Sequence, residues 1–185
     1  MKTIDIKLVI RIMSFLLLIE TFFMLISAGV GFYYSEPSTK FLLITSAITC
    51  ILGILGIICT PKIERNMHKR EGYLVVSLIW VVFSFFGMLP AYWSEHICTV
   101  TDAFFETMSG FSTTGATIIQ DVDNFPKGLM LWRCLQQWLG GMGIVVLSLA
   151  ILPMFGAGMQ LFTAEVPGIT YDKLQPKITD TARKL

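Results

Sequence analysis

Charge is scarce in this sequence: only 15% of its 185 residues are Asp, Glu, Lys or Arg, and the formal net charge is +1. Such a balance carries no nucleic-acid signature, which would require a field of unpaired cations. Cysteine occurs four times and histidine twice. No CxxC pair is present, so neither a disulfide framework nor a zinc site is expected, and the cysteines read as small buried hydrophobes. No nucleophile–base pair or phosphate-cradling loop is visible. The run Gly140-Gly141-Met142-Gly143 lies inside an apolar stretch and does not follow a strand. These absences point away from an enzyme and from a resident cofactor.

Hydrophobic residues, in contrast, make up 54% of the chain, and the mean hydropathy is +0.69. They arrive in blocks, whereas a soluble amphipathic domain would spread them periodically. A membrane-spanning helix needs about 20 mostly apolar residues at roughly 1.5 Å each. Residues 8–32, 41–59, 73–92 and 128–153 meet that length, and residues 101–110 form a shorter helical run. The sequence therefore predicts an all-α membrane protein with four spans and one half-span. A cleaved signal peptide is the alternative for the first of these, with Ser27-Ala28-Gly29 as small residues for cleavage. Against it, Glu20 interrupts the apolar run, and the run as a whole is span-length.

Basic residues set the expected orientation. Lys2, Lys7 and Arg11 precede the first span, Lys62, Arg65, Lys69 and Arg70 follow the second, and Lys173, Lys177, Arg183 and Lys184 follow the fourth. The intervening loops hold only Lys40 and Lys127. This alternation places both termini in the cytoplasm and His68 and His96 on opposite sides of the membrane.

The segment Phe111-Ser-Thr-Thr-Gly-Ala-Thr-Ile-Ile119 is the most informative. Thr99 and Asp102 have capping-box spacing and would start the half-helix over 101–110. Ten residues reach about half the hydrocarbon thickness, so the helix would end near the bilayer centre with its partly negative end directed inward. A short interfacial helix without a pore is the competing reading. Non-helical backbone at that depth must be buried in protein or line a water-filled cavity. Ser112, Thr113, Thr114, Gly115, Ala116 and Thr117 are small and polar, as a carbonyl-lined filter needs, and Gly115 is placed to take a positive φ. Thr-Thr-Gly-Ala-Thr also parallels the Thr-Val-Gly-Tyr-Gly filter of potassium channels, with Gly115 at the first glycine.

Glu106, Gly110 and Thr117 are expected to support the filter. Asp121 and Asp123 either concentrate cations at its mouth or sit in a solvated loop. Arg133 either snorkels or pairs with an acid of the filter region. Trp132 and Trp138 suit the outer interface, and the glycines at 140, 141 and 143 suit close packing or a hinge. Glu20, an acid within a span, is expected to have a structural partner or a functional role.

The stretches DAFFETMSGFSTTGATII, LWRCLQQWLGGMGIVVLSLAILPMFGAGMQLFTAEVPG and KLQPKITDTARKL closely resemble the TrkH family of bacterial potassium uptake proteins, within the Trk/Ktr/HKT superfamily. The resemblance implies four span–half-helix–span repeats around one pore, of which this chain carries the first. It divides the chain into a leading helix pair at 1–65, a pore repeat at 66–158 and a cytoplasmic linker at 159–185. It further implies that Thr113, Thr114 and Gly115 offer carbonyls to potassium, with Ser112 as a further contact. A bacterial cytoplasmic membrane and a TrkA-type nucleotide-binding partner are also implied. A single repeat does not enclose a pore, so conduction requires the missing repeats or further copies. A homotetrameric channel and a non-conducting fragment that co-assembles with full-length transporter are the other readings.

Overall fold

The computed structural model describes residues 5–60 and 69–155, which form six helices and, among the described residues, no strand. They are α1 (Ile6–Tyr33), α2 (Thr39–Cys59), α3 (Lys69–Gly87), α4 (Leu89–Trp93), α5 (Val100–Phe111) and α6 (Lys127–Phe155). The chain divides into two compact units, Met1–Gly141 and Met142–Leu185. The described part of the second is the C-terminal stretch of α6. The linker expected at 159–185, and Lys2, Lys62, Arg65 and His68, lie outside the described residues.

Among the described residues, three spans are long and apolar enough to cross a membrane: Ile6–Tyr33, Thr39–Cys59 and Glu71–Trp93. The fourth expected span lies within α6, which at 29 residues is about 44 Å long. The third departs from its predicted form, an unbroken helix over 73–92. It breaks at Met88 into α3 and α4, with Pro90 in the first turn of α4. Proline has no N–H to donate and its ring crowds the carbonyl four residues back, so the helix is interrupted there.

α1 and α2 pack as a hairpin. Lipid is as apolar as a leucine side chain, so such helices associate through packing and polar contacts. Here Thr21 and Thr49 share a buried hydroxyl–hydroxyl bond of 2.8 Å. Thr45 and Thr49 also donate to carbonyls of their own helix, at 2.9 and 3.1 Å. On the outward side of α2, Ile51, Leu55 and Ile58 are exposed.

The core of the first unit joins Leu17, Met24 and Ala28 of α1 to Leu42 of α2, Phe83 of α3, Phe111 of α5, and Leu129 and Trp132 of α6. Trp132 is 2% exposed, and its Nε1 donates to Gly87 O at 2.9 Å. This corrects its expected place at the membrane interface. The break at Met88 leaves the Gly87 carbonyl for side chains, and a buried indole N–H takes it. Trp138 is exposed. Glu20 is fully buried, and among the described residues neither carboxyl oxygen meets a hydrogen-bond partner, so the structural partner expected for it is not found there.

Polar contacts collect matching ends of the helices. Arg11 Nη1 donates to Thr60 O at 2.6 Å and Asp5 N to Glu71 Oε1 at 3.0 Å, joining the starts of α1 and α3 to the end of α2. At the other end, Glu36 in the α1–α2 turn accepts from Lys127 N and Gly128 N. It caps α6 from 91 residues away. Glu36→Ala is therefore expected to lower stability by about 1–2 kcal/mol, the usual worth of an N-cap. Thermal melting of the detergent-solubilised protein measures this; a melting point unchanged from wild type would show the cap to be incidental.

Candidate functional site

α5 starts at the cap that the sequence predicts. Thr99 is extended, and its Oγ1 accepts from Asp102 N at 3.1 Å. Asp102 occupies the first turn, where its charge meets the positive end of the helix dipole. The helix runs one residue beyond the predicted 101–110 at each end, and its 12 residues make it about 18 Å long.

Its C-terminus closes in a Schellman motif. Thr113 N donates to Gly110 O and Thr114 N to Ser109 O, each at 3.0 Å, while Ser112 N donates to Met108 O at 2.9 Å. The left-handed residue of the motif is Thr113, at φ +58°. Glycine or asparagine usually stands there, and a β-branched residue costs about 1–2 kcal/mol in that conformation. From Thr114 to Ile119 the backbone is irregular, with Gly115 at φ +76°.

Two side chains one turn apart on α5 hold this return segment from behind. Ser109 Oγ donates to Ala116 O at 2.7 Å. Glu106 accepts from Thr117 Oγ1 at 3.0 Å and from Ile118 N at 2.8 Å. Both residues are buried. Arg133 of α6 donates its Nε–H to Glu106 Oε1, which settles the two readings of that arginine in favour of pairing. The carbonyls of Ser112, Thr113, Thr114 and Gly115 accept no hydrogen bond among the described residues. The segment Thr113–Ile118 is exposed along its other side.

Behind the turn, α5 is fixed by close contacts. Phe111 is buried, with its ring 5.4 Å from Phe83 and 6.2 Å from Trp132. Its carbonyl lies against Gly140, where an added Cβ would stand 1.8 Å from Phe111 O. A Cβ at Gly110 would meet Gln136 Oε1 at 3.0 Å. At Gly140, therefore, the glycine serves packing. Asp121 and Asp123 lie in the exposed loop beyond. Asp121 accepts from Asn124 Nδ2 at 2.6 Å and Asn124 N at 3.2 Å, and these bonds hold its carboxyl below the usual range.

The structure thus brings Glu106, Gly110 and Thr117 together with Ser112–Gly115. Sequence reasoning misses Ser109 and the left-handed Thr113, since neither a seven-residue side-chain contact nor a threonine at positive φ leaves a local signal.

Span-length apolar helices packed around a half-helix and an irregular return segment define a polytopic membrane protein with a re-entrant element. The particular family follows from comparison: the TrkH model, described as a cation transport protein, matches residues 38–184, and the chain belongs to that family. It is 39% identical over 178 residues to the Trk system potassium uptake protein TrkH of Escherichia coli (strain K12), covering 95% of this chain and 37% of that protein. With the Trk system potassium uptake protein TrkG of the same strain it shares 34% identity, covering 100% of this chain and 39% of that one. The crystal structure of the potassium transporter TrkH from Vibrio parahaemolyticus matches with a TM-score of 0.79 at 33% identity, over 98% of this chain and 36% of that chain. The chain therefore spans little more than a third of the length of these relatives.

Proposed function

We propose that this chain supplies the first pore-lining repeat of a potassium uptake protein, and that the carbonyls of Ser112, Thr113, Thr114 and Gly115 contact the dehydrated ion. One observation carries the reading: four successive carbonyls without hydrogen bonds among the described residues, on a segment gripped from behind at Ala116, Thr117 and Ile118. At membrane depth such carbonyls need water or a cation as partner. The uptake function named for the relatives fits this chemistry.

In this reading residues 1–65 are a leading pair, 66–158 the repeat and 159–185 a cytoplasmic linker. Both termini face the cytoplasm of a bacterium, by the alternation of basic loops. The remaining filter strands come from the part of the relatives' length that lies outside the stretch matched here, and a TrkA-type cytosolic subunit gates the pore. Potassium-limited growth of an uptake-deficient bacterium tests the proposal. One strain expresses the 185-residue chain alone and another a version extended by its natural downstream sequence. Rescue by the extended chain only is the expected result. Rescue by the short chain would favour a pore assembled from copies, and rescue by neither, with both present in the membrane, would overturn the proposal.

Gly115→Ser tests the filter directly. An added Cβ meets no atom within 4 Å, so its cost is conformational, at φ +76°. A side chain in that region costs about 1–2 kcal/mol, enough to reorient the carbonyl and lower potassium-over-sodium selectivity roughly tenfold. Unchanged permeability ratios in the transport-competent form would count against the filter assignment.

A further inference from the structure

We propose that Ser109 decides where the ion-facing row of carbonyls ends, by drawing the Ala116 carbonyl back onto α5; this rests on the filter reading above. Ser109 touches the return segment twice. Its backbone carbonyl accepts from Thr114 N at 3.0 Å, and its hydroxyl donates to Ala116 O at 2.7 Å. One buried residue thus pins the strand on both sides of Gly115, the residue at φ +76°. With both neighbours fixed, the intervening glycine has little freedom left, and the direction of its carbonyl is set.

The hydroxyl also divides the strand chemically. Before Ala116, the carbonyls of Ser112 to Gly115 are free of internal bonds among the described residues; Ala116 is the first whose oxygen is taken. Beyond it, Ile118 N and Thr117 Oγ1 are held by Glu106. Ser109 is therefore a positioning residue for ion selection. It does not touch the ion, but it withholds one oxygen from it. Ser109 is buried and its bond to Ala116 part-buried, so water replaces the lost hydroxyl only at a cost. Without that hydroxyl the Ala116 carbonyl is released, and it can turn toward the ion row and change both the number and the spacing of ligands. Selectivity, more than total flux, is what responds.

The experiment compares Ser109→Ala, Ser109→Thr and Gly115→Ser in the form shown by the growth test to transport, reading initial uptake of potassium, rubidium and sodium as ratios. Ratios are insensitive to how much protein reaches the membrane, which a purely structural role would alter. Ser109→Ala is expected to lower the potassium-to-sodium ratio by roughly three- to tenfold, the range that one net hydrogen bond represents. Ser109→Thr, which keeps the hydroxyl, should restore the wild-type ratio. A normal ratio in Ser109→Ala beside a lowered ratio in Gly115→Ser would overturn the role of Ser109 and leave the filter reading standing. Normal ratios in both would overturn the filter reading itself. Should Ser109→Ala fail to accumulate, Ser109→Cys, with a similar volume and a weaker donor, takes its place under the same two outcomes.

Discussion

If the proposed function holds, Gly140→Ala in the transport-competent extended form is expected to abolish uptake, while Gly141→Ala, one residue on, leaves it intact. The new Cβ at position 140 would stand 1.8 Å from Phe111 O, 2.7 Å from Phe111 C and 3.1 Å from Phe111 Cα. All three are backbone atoms, so no side chain can rotate out of the way. Either α6 or the end of α5 must move by more than an ångström, on the order of the misplacement that disables a preorganised site. Overpacking of this kind costs about 3 kcal/mol, the upper part of its usual range. At Gly141 the added carbon would meet only Thr113 Cγ2, at 3.8 Å, an ordinary contact. Alanine there should raise stability by about 0.5–1 kcal/mol through helix propensity. Uptake and thermal melting in detergent, measured for both variants side by side, decide the matter. Equal behaviour of the two would show that the close approach at Phe111 does not matter.

Removing the Glu106 carboxylate should be nearly as severe. Its oxygens accept from Thr117 Oγ1, Ile118 N and Arg133 Nε, and only 4% of the residue is exposed. Glu106→Ala breaks all three bonds and leaves the Arg133 guanidinium half-buried without its acid. Breaking a buried pair from one side costs about 3–5 kcal/mol. Glu106→Gln keeps one acceptor oxygen for Thr117 and Arg133 but removes the charge and turns the other oxygen into a donor facing Ile118 N, so it should recover only part of the loss. Replacing Arg133 as well removes the stranded charge, so the double variant Glu106→Ala/Arg133→Ala should be less destabilised than the sum of the single ones. Strict additivity in melting temperature would show the pair to be uncoupled.

What the sequence makes legible is what is encoded locally. Apolar runs mark α1 and α2 because span length is a simple count, and the Thr99 cap marks the start of α5 because its acceptor and donor are three residues apart. Gly115 shows its turn because glycine tolerates positive φ. The break at Met88 is legible in principle through Pro90, but a hydropathy count passes over a proline inside an apolar run. Thr113 gives no such warning: its φ of +58° is imposed by the Schellman closure and not by its own preference. Trp132 and Trp138 look alike in sequence, and only the free carbonyl of Gly87 separates the buried one from the exposed one. Contacts between distant segments, such as Ser109 with Ala116 and Glu36 with Lys127, are set by the assembled fold and have no pattern to read.

The Glu36 contact also bears on the order in which the chain is made. A growing chain leaves the ribosome N-terminus first, so the carboxylate exists long before Lys127 and Gly128, whose N–H groups it receives. The α1–α2 hairpin is then a dock built ahead of its cargo, waiting for α6 to arrive. A segment cut after α2 would leave that dock behind, and its α6 would begin without the carboxylate that now receives its first two N–H groups.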